Sequence, residues 1–234
     1  GTVPRGLSIR TNQNSATNED IGILNIASGA SYASLEADNN GTSTESQIIA
    51  DNFVRTAGAT FNVRGRDLGN ANNVRTTQLR INNATNQTNF INAMTGGAGA
   101  AGTTNQSIVP WAMGENFTAG GVPGNVMGNS LMTYVSGRGF TALDLTTDYA
   151  TFTGSSDATD NVRESITATD VTGLTSQTVN ALVIHNDNTT ASTISVTGAG
   201  AGTTLTNTSG TFLFTLNIGA DASSAHSTSL GGFD

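Results

Sequence analysis

Four aspartates are the side chains in this sequence that come closest to a catalytic group. Asp144, Asp148, Asp157 and Asp160 follow one another closely in the chain. Enzymes that cleave polysaccharides use paired carboxylates, or a basic residue with bound calcium. The spacing of these four does not define a pair, and aspartates in loops commonly form turns. General acid–base chemistry is the one catalytic route open to them, and the spacing favours turn formation instead.

A calcium loop could begin at Glu36. The stretch EADNNG places oxygen ligands at Glu36, Asp38 and Asn40 and a glycine where a calcium loop turns. The twelfth position, which should hold a bidentate carboxylate, is Gln47, and Glu36 replaces the usual aspartate at the first. These departures favour an ordinary Asn-Gly turn between strands. Apart from calcium, no cofactor is expected.

The two isolated histidines and the absence of cysteine further limit the catalytic and metal-binding chemistry that the chain could perform. His185 precedes an Asn-Asp-Asn stretch at the end of a predicted strand, and His226 lies in a polar tail. Isolated histidines of this kind are usually surface or corner residues rather than a base or a metal site. The chain has no cysteine, which removes thiol catalysis, zinc–thiolate sites and iron–sulfur clusters. The sequence therefore predicts no catalytic residues and no enzyme.

The charge balance excludes two classes of partner. All nine basic residues are arginine, and the formal net charge is -8. Nucleic acid needs a basic face, and so does an anionic membrane surface, so neither is expected as a partner. Arg64 and Arg66 share one face of a predicted strand, where they could pair with Asp67 or bind a glycan carboxylate. A solvated arginine face is the favoured interpretation.

Short strands separated by turns are the main structural signal. Thr, Ser, Asn and Gly are abundant, and all four are poor in helix interiors. Apolar and hydroxyl-bearing residues alternate as expected for strands at 21–26, 60–64, 78–81, 179–184, 193–196 and 212–218. The longest apolar runs are far shorter than a membrane span. The sequence therefore predicts an all-β fold without a transmembrane segment.

Composition favours a right-handed parallel β-solenoid over the alternative, a β-sandwich. A sandwich needs tight hairpins, whereas a solenoid stacks like residues and uses ladders of Thr, Ser and Asn. We expect such ladders in residues 179–218 and coils of about 20–25 residues. Solenoid coils are predicted over 1–94 and 130–234, on either side of a glycine-rich insertion at 95–129. Trp111, the single tryptophan, is expected to pack beneath that insertion.

Three stretches carry a resemblance to a known family. They are FVRTAGATFNVRGRDLG at 53–69, SIVPWAMG at 107–114 followed by LMTYVSGRGFTALDL at 131–145, and DNVRESITATDVTGLTSQTVNALVI at 160–184. These stretches resemble the bacterial autotransporter-associated β-strand repeat proteins. The resemblance implies a secreted or surface-exposed β-solenoid passenger, and it implies no catalytic residues.

The first and last residues suggest an assembly. The chain begins at Gly1 without a methionine or an apolar signal segment, which indicates a mature or excised piece. Neither GTVPRGLSIRT nor SSAHSTSLGGFD resembles a solenoid cap, so we expect either a longer chain or subunits that stack on one another.

The functional hypothesis is a structural module of a bacterial secreted or cell-surface protein, with adhesion as a further role open to it. It would form a stalk, a fibre or a self-assembling filament or surface layer, with glycans as a possible partner. The alternative is a β-solenoid that binds or cleaves glycans.

Overall fold

The chain folds as a parallel β-solenoid of about six turns with one short helix. The computed structural model describes residues 5–10, 16–27, 29–36, 45–70, 76–117, 128–152, 157–167, 170–188, 192–216 and 226–233. Strands from successive turns pair in parallel and in register, which confirms the predicted solenoid and excludes a sandwich of tight hairpins. Each predicted strand is present as far as it is described; residues 217 and 218 lie outside the described part.

Two compact units divide the chain. Unit 1 comprises Gly1–Met94 and Trp111–Ala142, and unit 2 comprises Thr95–Pro110 and Leu143–Asp234. The glycine-rich segment 95–129, expected as one insertion, is shared between them. The physical reason is pairing: Thr95 bridges Ile108 and closes the loop Thr95–Pro110 within unit 2, whereas the strand that begins at Ala112 pairs with a strand of unit 1.

Unit 1 begins with parallel coils and ends in a hairpin. Its strands, in chain order, are β1 (Arg5–Arg10), β2 (Thr17–Ile26), β3 (Ala30–Glu36), β4 (Ser46–Arg55), β5 (Thr60–Arg66), β6 (Thr77–Ile81), β7 (Ala112–Phe117), β8 (Ser130–Val135) and β9 (Gly139–Ala142). One sheet has the order β2-β4-β6, and the other has the order β1-β3-β5-β7-β8-β9. All pairs are parallel except β7–β8 and β8–β9, which are antiparallel.

The helix α1 (Ala84–Asn92) is a feature that the sequence analysis did not predict. Asn83 caps it by accepting a hydrogen bond from the backbone N–H of Asn86 at 3.0 Å. The Gln87 amide donates to the carbonyl of Ile81 at 2.9 Å, and Phe90 packs against the aromatic side chains of unit 1. Tertiary contacts therefore stabilise a segment whose intrinsic helix propensity is low. Within the described residues, no helix is long and apolar enough to cross a membrane.

Unit 2 repeats the coil pattern with different neighbours. Its strands are β10 (Asn161–Ile166), β11 (Val171–Leu174), β12 (Gln177–Asn186), β13 (Ser192–Gly198), β14 (Leu205–Leu216) and β15 (His226–Gly231). They form two parallel sheets, β10-β12-β14 and β11-β13-β15. Between the sheets lies a core whose fully buried side chains include Val162, Leu182, Ile184 and Val196.

Coil length varies more than expected. Asn161 pairs with Ala181, an advance of 20 residues, whereas Ser192 pairs with His226, an advance of 34. The strand ladder constrains only the paired residues, so the loops between strands can differ in length without disturbing the stack. The predicted coil of about 20–25 residues therefore describes only the shorter turns.

Polar ladders occur, but not along the whole of the stretch where they were expected. In unit 1, Thr17, Ser46 and Thr77 occupy one column, and Asn18, Gln47 and Gln78 occupy the next. In unit 2, the Ser227 hydroxyl donates to Thr193 at 2.8 Å. The centre of β10-β12-β14 instead stacks apolar residues, because there the inward face is the core.

Candidate functional site

The four candidate aspartates form two turns of the same design in unit 2. Asp144 accepts a hydrogen bond from the Thr146 N–H at 2.8 Å, and Asp157 accepts one from the Thr159 N–H at 2.7 Å. In each turn the second aspartate accepts from the backbone N–H of the first: Asp148 from Asp144 at 2.8 Å, and Asp160 from Asp157 at 3.0 Å. The turn-forming interpretation is confirmed for all four.

The second aspartate of each turn also holds the loop Thr95–Pro110. Asp148 accepts from the Gly102 N–H at 2.8 Å, and Asp160 accepts from the Thr104 hydroxyl at 2.6 Å.

Hydrogen bonds from Thr146 hold the pKa of Asp144 below its usual range, and those from Thr159 do the same for the pKa of Asp157. A lowered pKa keeps a carboxylate ionised at neutral pH, which suits an acceptor and disfavours a general acid.

Two buried asparagines complete this polar network. The Asn161 amide donates to the carbonyl of Gln106 at 2.9 Å, and the Asn180 amide donates to Asn161 at 2.8 Å. Both residues are almost fully buried, so each unmade bond would cost the desolvation of a polar group. Asn161 also donates its backbone N–H to the carbonyl of Thr104 at 2.8 Å. The loop Thr95–Pro110 thereby covers the edge of β10, and a parallel bridge between Ala150 and Val162 covers more of it.

His185 lies in a polar arrangement that sequence reasoning missed. Its Nδ1 is 2.7 Å from the Thr215 hydroxyl, and its Nε2 is 3.4 Å from a carboxylate oxygen of Asp187. A hydroxyl, an imidazole and a carboxylate in this order resemble a nucleophile–base pair with its orienting group. Thr215 is nevertheless buried and stacks in register on His185, so the contact is that of a buried polar column along β12 and β14. The 30-residue advance from His185 to Thr215 becomes visible only once the register is known.

We predict that the imidazole of His185 titrates below the ordinary value of 6.5. Burial lowers its pKa, and Arg163 lowers it further, while Asp187 opposes the shift. The unfolded chain then binds a proton near 6.5 that the folded chain does not, so the free energy of unfolding falls as the pH is lowered from about 6.5 toward the folded pKa. NMR titration of His226→Gln, which retains His185 as the single histidine, measures this directly. A pKa at or above 6.5 contradicts the prediction.

The paired arginines are not on a solvated face, and that expectation was wrong. Arg66 is 3% exposed and lies 4.0 Å from Asp67. Arg64 pairs in register with Glu115 of β7, and the two charged groups approach to 2.7 Å. Burial raises the pKa of Glu115, and Arg64 partly offsets this effect. A long-range strand partner therefore stabilises Arg64, and only the fold brings that partner close.

The calcium candidate falls mainly outside the described residues. Glu36 is the last residue of β3, whereas Asp38 and Asn40 lie in the segment 37–44 that is not described. Over the described ranges, no cluster of three or more His, Asp or Glu side chains could hold a metal ion. The calcium site stays a prediction.

Trp111 packs against aromatic rings of unit 1. Its indole meets the rings of Phe90 and Phe140 edge-on at centroid distances of 6.0 and 6.4 Å. The guanidinium of Arg55 lies 5.6 Å from the indole centroid, within cation–π range. Residues 118–127 of the glycine-rich segment lie outside the described part of the chain, so the packing of Trp111 beneath that segment stays a prediction.

Within the described residues, each unit has one covered end and one end whose strands have no further strand beside them. In unit 1 the edge of β7 is paired by β8, and Tyr134 accepts a hydrogen bond from the backbone N–H of Ile81 at the end of β6. In unit 2 the edge of β10 is covered as described above. The strands β1 and β2 end the sheets of unit 1, and β14 and β15 end those of unit 2, with no further strand beside them among the described residues. We call β1–β2 the first coil and β14–β15 the last coil.

Exposed apolar side chains concentrate on these coils. Of the five large apolar residues that the described structure exposes, Ile23 belongs to the first coil, and Phe212 and Phe214 belong to the last. Phe212 is 44% exposed and Phe214 is 49% exposed. These coils are therefore the surface of the chain that is best suited to binding another strand.

Comparison with protein-family models, with curated proteins and with solved structures finds no match to this chain. The fold alone therefore defines its class, which is that of the parallel β-solenoids.

Proposed function

We propose that this chain is a structural module of a bacterial secreted or cell-surface protein, as part of a stalk or fibre, and that it is not an enzyme. The observation that carries the proposal is the stacking of parallel coils, whose outermost strands at one end of each unit have no further strand beside them among the described residues. A solenoid of this kind grows in one direction by adding coils, which suits a shaft.

The state of the reactive side chains supports the same proposal. The carboxylates of the four candidate aspartates accept hydrogen bonds from backbone and threonine donors, and His185 contacts a buried hydroxyl. The resemblance to autotransporter-associated repeat proteins at 53–69, 107–114 with 131–145, and 160–184 is the basis for assigning a bacterial surface location.

Surface labelling tests the location. Antibodies raised against the recombinant chain should label intact source cells without permeabilisation, or detect the chain in the culture medium. Labelling that requires permeabilised cells contradicts the proposal.

A panel of polysaccharides tests the alternative of a glycan-binding or glycan-cleaving solenoid. We expect no release of reducing ends or unsaturated products. Cleavage that is abolished by Asp148→Asn and retained in the exposed-site control Leu145→Ala would make the chain an enzyme.

A further inference from the structure

We propose that the last coil of one copy binds the first coil of a second copy, head to tail, by parallel strand addition. This inference rests on the proposed structural function, because the end contact is what would turn a short module into a fibre. One copy contributes β14 and β15 to the contact surface, and the other copy contributes β2 and β1.

In unit 2, the columns of stacked residues that face the core end in apolar side chains at the last coil. Phe212 pairs in register with Leu182, and Phe214 pairs with Ile184. Residues paired in parallel strands point to the same face, so both phenylalanines lie on the face that Leu182 and Ile184 present to the core. Leu182 and Ile184 are fully buried, whereas the two phenylalanines are nearly half exposed. These aromatic rings thus occupy core positions that no further coil covers among the described residues.

The first coil of unit 1 also has apolar residues in core columns that are incompletely buried. Leu7 pairs with Ala33, and Ile9 pairs with Leu35; both partners are fully buried, while Leu7 and Ile9 are only half-buried. Ile21 of β2 is likewise half-buried above Ala50. An apolar column therefore ends unfinished at each of the two coils.

Strand order determines which ends fit each other. Within the parallel sheets strand order follows chain order, so the open side of β14 is the side on which a following coil would pair, and the open side of β2 is the side on which a preceding coil would pair. Joining these two sides continues the parallel ladder. Joining two like ends through a two-fold axis would instead make the strands antiparallel and break the stacking of the columns.

Strand length and charge favour the same pairing. The strand β14 has 12 residues and β2 has 10, while β15 and β1 have six each. The strand β14 has no charged residue, whereas β2 carries exposed Glu19 and Asp20. A contact between two first coils would bring four carboxylates together, and a contact between first and last coils brings no like charges together. The occupant is therefore a second copy of this chain, and the contact yields an open filament unless the rotation closes a ring.

Sedimentation of the full chain over a range of concentrations tests the contact. Wild type should increase in mass with concentration, and the double variant Phe212→Asp with Phe214→Asp should raise the dissociation constant by roughly 100-fold or more. The control is Leu145→Asp, at an apolar residue of similar exposure (38%) outside the terminal coils, and it should associate like wild type. A wild-type chain that stays monomeric at all concentrations overturns the inference.

Cross-linking decides the polarity and does not depend on the phenylalanine variants folding. The chain has no cysteine, so Asp20→Cys in β2 and Thr206→Cys in β14 can be prepared as separate single-cysteine proteins. A short bismaleimide should cross-link the mixture into pairs of unlike variants. Pairs of like variants, or no cross-linked product, overturn the inference. Surface labelling of source cells is an independent measurement, so loss of this contact is distinguishable from failure of the proposed function.

Discussion

Phe140→Ala is expected to lower the free energy of unfolding of unit 1 by about 3–5 kcal/mol, the usual cost of truncating a buried phenylalanine. The Phe140 ring is fully buried and contacts the rings of Phe53, Phe61, Phe90, Trp111 and Tyr134 at centroid distances of 5.4 to 6.4 Å. Four of these five contacts are edge-on, a geometry that adds to the free energy of burial. Alanine would leave a cavity among side chains contributed by strands and helix alike.

Urea unfolding followed by tryptophan fluorescence measures this effect, because Trp111 is the single tryptophan and belongs to the same cluster. The control is Val54→Ala in β4, which truncates a side chain of unit 1 that is already 42% exposed and should change the unfolding midpoint far less. Similar losses for the two variants would mean that the cluster does not stabilise unit 1 as its burial indicates.

Gly139→Ala is expected to cost about 2–5 kcal/mol, and Gly137→Ala only about 1–2 kcal/mol. Both glycines have positive φ, 88° at Gly139 and 76° at Gly137, so alanine is strained at each. A Cβ at residue 139 would also overlap the carbonyl oxygen of Leu79 and lie 2.9 Å from the Cβ of Arg80, whereas a Cβ at residue 137 has no heavy atom within 4 Å. The difference between the two variants isolates the close approach of β9 to β6.

Thermal unfolding of the two variants beside wild type gives the comparison. If Gly137→Ala proves as costly as Gly139→Ala, backbone strain alone explains both losses and the packing of β9 on β6 contributes little. A larger loss at Gly139 would show that the hairpin β8–β9 shields the end of β6, which is the role we assign to it.

The ends of the two units illustrate how a solenoid manages its edges. At the covered ends, elements outside the parallel coils cover the edge strands. They are the hairpin β8–β9 in unit 1, and the loop Thr95–Pro110 with its aspartate turns in unit 2. At the other ends, regular strands with apolar inward residues are the last elements described. Because each unit covers one of its ends in this way, we interpret the exposed Phe212 and Phe214 at the other end of unit 2 as a surface for a partner.

The alternation of apolar and hydroxyl-bearing residues was enough to predict the strands, and the composition was enough to favour their parallel stacking. It works because a strand repeats every two residues and because stacked coils tolerate Thr, Ser and Asn at equivalent positions. The turn-forming role of Asp144 and Asp157 was also readable, since each is followed two residues later by a threonine whose N–H it accepts. These are local properties, and local sequence determines them.

Properties that depend on register and chain path were decided by the tertiary structure alone. The pairing of Arg64 with Glu115, the contact of His185 with Thr215 and the position of Trp111 each join residues that are distant in sequence. The helix α1 forms because Asn83 caps it and Phe90 finds aromatic partners, although its residues have low helix propensity. Likewise, Phe212 and Phe214 read as ordinary core residues in the sequence, and only the fold shows that they are nearly half exposed. Whether a side chain is buried depends on the neighbouring coil and not on its own strand.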